Sequence, residues 1–298
     1  MIIVKLVGGL GNQLFQYAFG RALAEKFQTE LKLDTTDLQY SKNRDYALSP
    51  FRIKESFASL EEIKAMGFRR RSLISKLMIK LRQRVKIGKS GYYKEKRYEF
   101  DPEDLDLSDH CYVDGFWQSE KYFIDIEDTI RKEYRFKSLP DRENQKLLDD
   151  IQANDSVSLH IRRGDYITHQ DVNRVFGVCT DSYYQSAISE MNRRLKSPHY
   201  YVFSDDIPWV QKAFKIESEH TIVTINNSNA HEDLRLMIHC KHNIVANSSF
   251  SWWGGWLNPN PDKTVIAPSP WFQTKRNESD LIPDGWLILR RSERLSGV

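Results

Sequence analysis

Cysteine is scarce. The 298-residue chain has three, Cys111, Cys179 and Cys240, scattered and without a Cys-x-x-Cys pair. Neither a disulfide framework nor a structural zinc site is suggested, and a reducing compartment fits best. Long apolar runs are missing too: none approaches the roughly 20 residues needed to span a bilayer. The stretch Met1 to Gly9 has neither the basic start nor the extended apolar segment of a secretory signal, so the chain is expected to be cytoplasmic. Charge of one sign is not in excess. With 44 basic and 41 acidic residues the net charge is +3, too small a bias to imply a nucleic-acid partner. The glycine turn Gly8-Gly9-Leu10-Gly11 lacks both the G-x-G-x-x-G spacing and a following Gly-Lys-Ser/Thr, which leaves dinucleotide and ATP sites without support.

What is present is alternating α/β pattern. A short β-branched strand, Ile2 to Val7, runs into the glycine turn. A helix follows, with Leu14, Phe15, Ala18, Phe19, Ala22 and Leu23 at helical spacing, and then a strand from Glu30 to Leu33. The region from Asp37 to Leu139 is less regular. Within it Arg69 to Lys94 carries ten Lys or Arg and no Asp or Glu, with apolar residues at helical intervals. Two readings apply: a basic amphipathic helix making peripheral contact with an anionic membrane, or a packed helix with a solvated charged face, which is the commoner case. A second α/β series starts near Ser156. Its strands are expected at Ser156 to Ile161, Tyr200 to Phe203, Thr221 to Ile225, Asn243 to Ala246 and, last, Thr264 to Ala267. Two doubly wound halves facing a cleft, divided near 150/151, is the simplest architecture.

Ligands of open parallel sheets bind beyond the carboxyl ends of the strands. Those ends here read His160-Ile161-Arg162-Arg163-Gly164-Asp165, then Ser204-Asp205-Asp206, then Asn247-Ser248-Ser249-Phe250. A guanidinium matches a phosphate, and alternation along the strand puts Arg162 on the face of His160 and Arg163 on the other. Arg162 is therefore expected at a phosphate and Arg163 in a structural pair. The helix start at Ser248 and Ser249 suits an anion; a serine at that position is also a common helix cap, and the two roles are compatible. The tryptophans that follow it fit core packing better than sugar platforms. Gly9, Gly11, Asn12 and Gln13 supply backbone and amides near a ligand. Metal binding has little support. Asp104-Leu105-Asp106 has the D-x-D form but no strand before it and reads as solvated surface, and His239 with His242 lacks further ligands.

These residues converge on a family. The sequence resembles the bacterial α-1,2-fucosyltransferases of glycosyltransferase family 11 in four motifs, which occur in order: Gly8-Gly-Leu-Gly-Asn-Gln-Leu-Phe-Gln-Tyr-Ala, His160-Ile-Arg-Arg-Gly-Asp-Tyr, Phe203-Ser-Asp-Asp and Asn247-Ser-Ser-Phe-Ser-Trp-Trp. The resemblance implies an α/β, GT-B-type fold of two Rossmann-like halves. It also implies GDP-β-L-fucose as donor, a galactose-containing oligosaccharide as acceptor, inversion at the anomeric carbon and no metal. By the same resemblance Arg162 binds the β-phosphate, His160 lies at the donor site, and Asp233 reads the guanine. Residues 1–150 become the acceptor side and 151–298 the donor side. Some relatives carry a glutamate base shortly after the H-x-R-R-x-D motif, where this chain has Tyr166, His169, Gln170 and Asp171. Asp165 is then the candidate base or the group that orients it, with His160 second. Other readings are a transferase using a different nucleotide sugar and a glycan-binding module without catalysis.

Overall fold

A computed structural model describes residues 1–40, 44–66, 91–226 and 229–291. The chain divides into two compact units, Met1–Lys137 and Ser138–Val298.

In the first unit, β1 (Ile2–Lys5) leads through the glycine turn to α1 (Leu10–Lys26) and back to β2 (Leu31–Asp34). Then come α2 (Leu60–Ala65), β3 (Gly91–Lys94), β4 (Cys111–Asp114) and α3 (Glu127–Glu133). The strands form one parallel sheet in the order β2-β1-β4-β3. Leu10, Gly11 and every residue from Gln13 to Ala24 of α1 are buried, so the helix belongs to the core rather than to an amphipathic surface. Gly20 permits its close approach to the sheet, because a Cβ there would come within 2.8 Å of the Leu31 side chain.

The second unit opens with α4 (Arg142–Ala153), capped by Asp141, whose carboxylate accepts from Asn144 N at 2.9 Å. It continues through β5 (Asp155–Ile161), α5 (Gly164–Thr168), α6 (Gln170–Phe176), α7 (Asp181–Arg194), β6 (Pro198–Ser204), α8 (Ile207–Ala213) and β7 (His220–Ile222). It closes with α9 (Ala230–His239), β8 (His242–Ile244), α10 (Ser249–Leu257), β9 (Val265–Ser269) and β10 (Leu287–Arg290). The sheet order is β10-β9-β8-β5-β6-β7, and every pair is parallel. Val157, Leu159 and Ile161 of β5 pack under α7 on one face, while Tyr201 and Phe203 of β6 face Leu236 and Met237 of α9 on the other.

The structure departs from the sequence reading in three places. The helix α4, expected before a boundary at 150/151, belongs to the second unit, where Leu148 and Ile151 enter the core beside α9. Strands β3, β4 and β10 were not expected. Gly91–Lys94, read as the tail of the basic helix, is a strand, and residues 69–90 of that stretch lie outside the described residues. Among the described residues no helix is long and apolar enough to cross a membrane.

Candidate active site

Strand order in the second unit reverses beside β5: β6 and β7 extend one way, β8 to β10 the other. The crevice between β5 and β8 is the topological switch point, where doubly wound sheets take their ligands. Arg162 follows β5 at this edge, and Asn247 to Ser249 follow β8. Two motifs far apart in sequence are thus neighbours because their strands pair, Leu159 opposite Ile244.

Arg162 is held as a fork. Its Nη2 donates to Asp165 Oδ1 at 2.5 Å, and its Nη1 forms a salt bridge with Asp205 Oδ2 at 2.9 Å. Its Cζ lies over the Tyr166 ring, 5.2 Å from the centroid, and its buried Nε has no partner among the described residues. Burial opposes the charge, but Asp205 and Asp165 outweigh it and hold the guanidinium above its ordinary range. Arg163 turns the other way, as strand alternation requires: Nε meets Asp206 at 3.1 Å and Cζ stacks 3.7 Å over Trp209. Asp205 also accepts from Arg163 N at 2.8 Å, so this candidate ligand residue builds the arginine loop. Ser204 Oγ accepts from Asp206 N at 3.0 Å in the same turn. Gly164 is needed here, since a Cβ would lie 2.2 Å from Asp205 Oδ2.

His160 is 3% exposed, its Nδ1 has no partner among the described residues, and its ring is 5.5 Å from that of Phe250. Burial, aided by the Arg162 charge, pushes its pKa down to about 3. Burial and the neighbouring guanidinium both favour the neutral imidazole, which argues against His160 as the base. Asp165, bound to Arg162, suits the orienting role better than proton abstraction.

At the head of α10, Ser248 is the cap, its Oγ accepting from Phe250 N at 3.3 Å, and Ser249 begins the helix half-buried. The following Trp252, Trp253 and Trp256 are core residues, 0%, 0% and 3% exposed. Asn247, expected at the ligand, has a different task. It is fully buried, and Nδ2 donates to the carbonyls of Phe176, Gly177 and Trp271 at 2.9, 3.0 and 3.1 Å. Its own carbonyl accepts from Tyr166 OH at 3.0 Å. Arg291, absent from the sequence reading, reaches the same Phe176 and Trp271 carbonyls. An amide that braces distant backbone leaves no local signal in sequence.

Asp233 stands in the first turn of α9, half-buried, accepting from Asn226 Nδ2 at 3.0 Å. Asn226 and Asn144 exchange paired amide bonds, both 2.9 Å, which fixes that donor. Burial is the main reason its carboxyl is pushed up to about 7.

In the first unit the glycine turn is a braced loop. Gly8 has φ +80°, and Gly9 precedes α1. Gln13, fully buried, donates to Gly8 O and Asp45 O at 2.9 and 2.8 Å and accepts from Ala47 N at 2.9 Å. It positions loops: both of its N–H donors are taken by backbone carbonyls, and its side chain is buried. Gly11 is buried in the helix, and Asn12 Oδ1 accepts from Gln118 at 2.9 Å.

The D-x-D residues diverge. Asp104 is buried, not solvated, and accepts from the phenols of Tyr93 and Tyr122, while Asp106 faces Lys26 at 2.8 Å. His239 Nδ1 lies 2.7 Å from Arg235 O, and His242 Nδ1 accepts from Thr264 N at 3.0 Å. Among the described residues no group of three or more His, Cys, Asp or Glu is placed to hold a metal ion.

Comparison with known proteins fits this geometry. The family model "Glycosyl transferase family 11" matches residues 1–290. An α-1,2-colitosyltransferase of Escherichia coli is 32% identical over 98% of this chain and 99% of its own length. The O-antigen biosynthesis glycosyltransferase WbnK of the same organism is 32% identical over 95% and 99%. Among solved structures, a mutant of Arabidopsis thaliana FUT1 in complex with GDP superposes with a TM-score of 0.53 at 12% identity, covering 95% of this chain and 74% of that one. That likeness concerns the fold, which is of the GT-B type: two Rossmann-like units in one chain.

Proposed function

The chain belongs to glycosyl transferase family 11, and from that premise we propose that it transfers L-fucose from GDP-β-L-fucose to the 2-hydroxyl of a terminal β-galactoside. The reaction inverts the anomeric centre, needs no metal and serves the assembly of a surface glycan of the O-antigen kind. The first unit takes the acceptor and the second the donor. The observation that carries the reading is Arg162: a half-buried cation at the switch point, across from a helix start, whose buried Nε has no partner among the described residues.

The mechanism follows from charge. Cleavage of the sugar–phosphate bond leaves negative charge on GDP, and Arg162 together with the N-terminal end of α10 stabilises it. Asp165 and Asp205 keep the guanidinium aimed, so little reorganisation accompanies bond breaking. Neutral His160 donates a hydrogen bond or packs against the donor. Asp233 accepts from the adjacent N–H donors of guanine.

A second reading has specific support, because a relative at 32% identity over nearly the whole chain is a colitosyltransferase. Colitose is fucose without its 3-hydroxyl, so both donors present the same GDP to the second unit. A site built to hydrogen-bond a hydroxyl rejects the analogue lacking it by roughly 10⁴-fold or more. GDP-fucose and GDP-colitose should therefore be compared on one panel of β-galactosides, with and without EDTA. Fucose transfer that persists in EDTA supports the proposal. Preference for GDP-colitose would favour the second reading, and loss of activity in EDTA would contradict the metal-free mechanism.

A further inference from the structure

The two anion-holding elements of the second unit follow different strands, Arg162 after β5 and the head of α10 after β8. One side chain touches both. Tyr166, buried in the short helix α5, has the Arg162 Cζ over its ring at 5.2 Å, and its OH donates to Asn247 O at 3.0 Å. That oxygen belongs to the peptide joining Asn247 to Ser248, the cap of α10. The N–H of the same peptide donates to Ala246 O at 2.7 Å. A peptide unit is planar, so fixing its oxygen and its hydrogen fixes the direction in which α10 begins.

The phenol is held in turn. Its ring stacks on Phe176, centroids 5.2 Å apart and planes inclined by 21°, and Phe176 O accepts from Asn247 Nδ2 at 2.9 Å. Tyr166, Asn247 and Phe176 thus close a ring of three contacts, in which each residue holds the other two. Arg291 Nη1 donates to the same Phe176 O, and Asn173 Nδ2 holds the Tyr166 carbonyl at 2.6 Å. The titratable groups around the phenol are Arg162, Asp165, Cys179 and Asp205. Burial outweighs them and pushes it well above its ordinary range, so the OH stays protonated and goes on donating.

We propose that Tyr166 is a positioning residue for donor cleavage: its ring and its hydroxyl set the Arg162 guanidinium and the head of α10 in the one arrangement that meets the diphosphate. The role rests on the transferase reading above. Tyr166 acts on the leaving group only through the two elements it joins. Donors aimed in advance stabilise charge where it develops, so the effect follows the ligand's phosphates and not its guanine.

The test is Tyr166→Phe, which keeps the ring and removes only the hydroxyl, titrated beside the wild type with GDP, GMP and guanosine. GDP should bind about tenfold more weakly, GMP should lose less, and guanosine should stay within about twofold. In transfer assays kcat should fall by roughly 10–100-fold, with the acceptor KM within about twofold of wild type. Tyr166→Leu, which takes the ring from Arg162 as well, should deepen the losses of kcat and of GDP affinity. A merely structural hydroxyl would weaken all three ligands by one common factor, and that result overturns the proposal. So does a Tyr166→Phe protein with wild-type kcat and wild-type GDP affinity. A crystal structure of the wild type with GDP needs no variant to fold. In it the Tyr166 OH should still rest on Asn247 O, and a phenol that has left Asn247 to bond the diphosphate itself overturns the positioning role. If the wild type binds GDP no more tightly than guanosine, the reading of the function fails first. If it prefers GDP and Tyr166→Phe keeps that preference in full, only the role of Tyr166 falls.

Discussion

Arg162 and Arg163 are adjacent, equally charged and unequal in task. Arg162 forks between Asp165 and Asp205 under the crevice, whereas Arg163 is locked on Asp206 and Trp209. Lysine cannot reproduce a fork. Arg162→Lys is therefore expected to lower kcat by roughly 10²–10³-fold, the cost of losing one preorganised donor to a developing anion. Arg163→Lys should leave kcat within about tenfold and lower the melting temperature instead. Equal losses of kcat from the two would refute the assignment. Asp233 makes a second prediction at this scale. Its pKa is about 7 in the folded chain against roughly 3.9 unfolded, so the folded state binds the extra proton between these values. The stability this contributes is complete below about pH 4 and lost as pH rises through 7. Asp233→Asn, which stays neutral, should therefore gain in melting temperature over wild type as pH goes from 4 to 8. GDP affinity should run the other way. Guanine's donors favour the carboxylate, so wild-type binding should tighten with pH up to about 7, and Asp233→Asn should bind weakly throughout. A pH-independent wild-type Kd would contradict the guanine contact. Strand alternation was enough to separate Arg162 from Arg163. Nothing comparable could reveal Gln13 or Asn247 as braces, because their partners are backbone atoms up to 71 residues away.

Among the elements, β5–α5 and β8–α10 carry the proposed donor site, because each ends a central strand in a helix start. Both were legible. Ser156 to Ile161 alternates polar and apolar residues, Ile244 to Ala246 is a short apolar run, and each strand ends in polar residues. The edge strands β3 and β10 were not, since Gly91-Tyr-Tyr-Lys and Leu287-Ile-Leu-Arg are four residues long and take their identity from the strand they pair with. Gly164 tests the first of these turns. In Gly164→Ala the new Cβ must displace Asp205, which would release both Arg162 and the amide of Arg163. The expected result is a rise of about tenfold or more in donor KM, with a melting temperature close to wild type because the turn lies at the surface. Unchanged donor KM would show that Asp205 does not hold Arg162 in place. At the second turn, Ser248→Ala removes a cap and should cost about 1 kcal/mol of stability, read from a denaturant midpoint.

At the level of the whole chain, each unit has its own parallel sheet, and the residues proposed to hold the donor, His160, Arg162, Asp233 and Ser248, all belong to Ser138–Val298. A ligand that binds only folded protein stabilises it by RT ln(1 + [L]/Kd), about 2.7 kcal/mol at a hundred times Kd. Tryptophan fluorescence reports on the relevant unit, because six of the seven tryptophans lie there and Trp117 alone in the first. GDP at that excess should move the fluorescence-detected melting temperature up by roughly 5–10 °C, given about 2–4 °C per kcal/mol for a body of this size. The same shift is expected in EDTA, because a guanidinium and a helix start replace a cation at the diphosphate. A glycan-binding module without a nucleotide site would show no shift with GDP and would respond to galactosides instead. If GDP stabilised the chain only when a divalent cation was present, Arg162 would no longer suffice as the counter-charge, and the D-x-D acids would not explain the difference, since Asp104 is buried against two phenols and Asp106 is paired with Lys26.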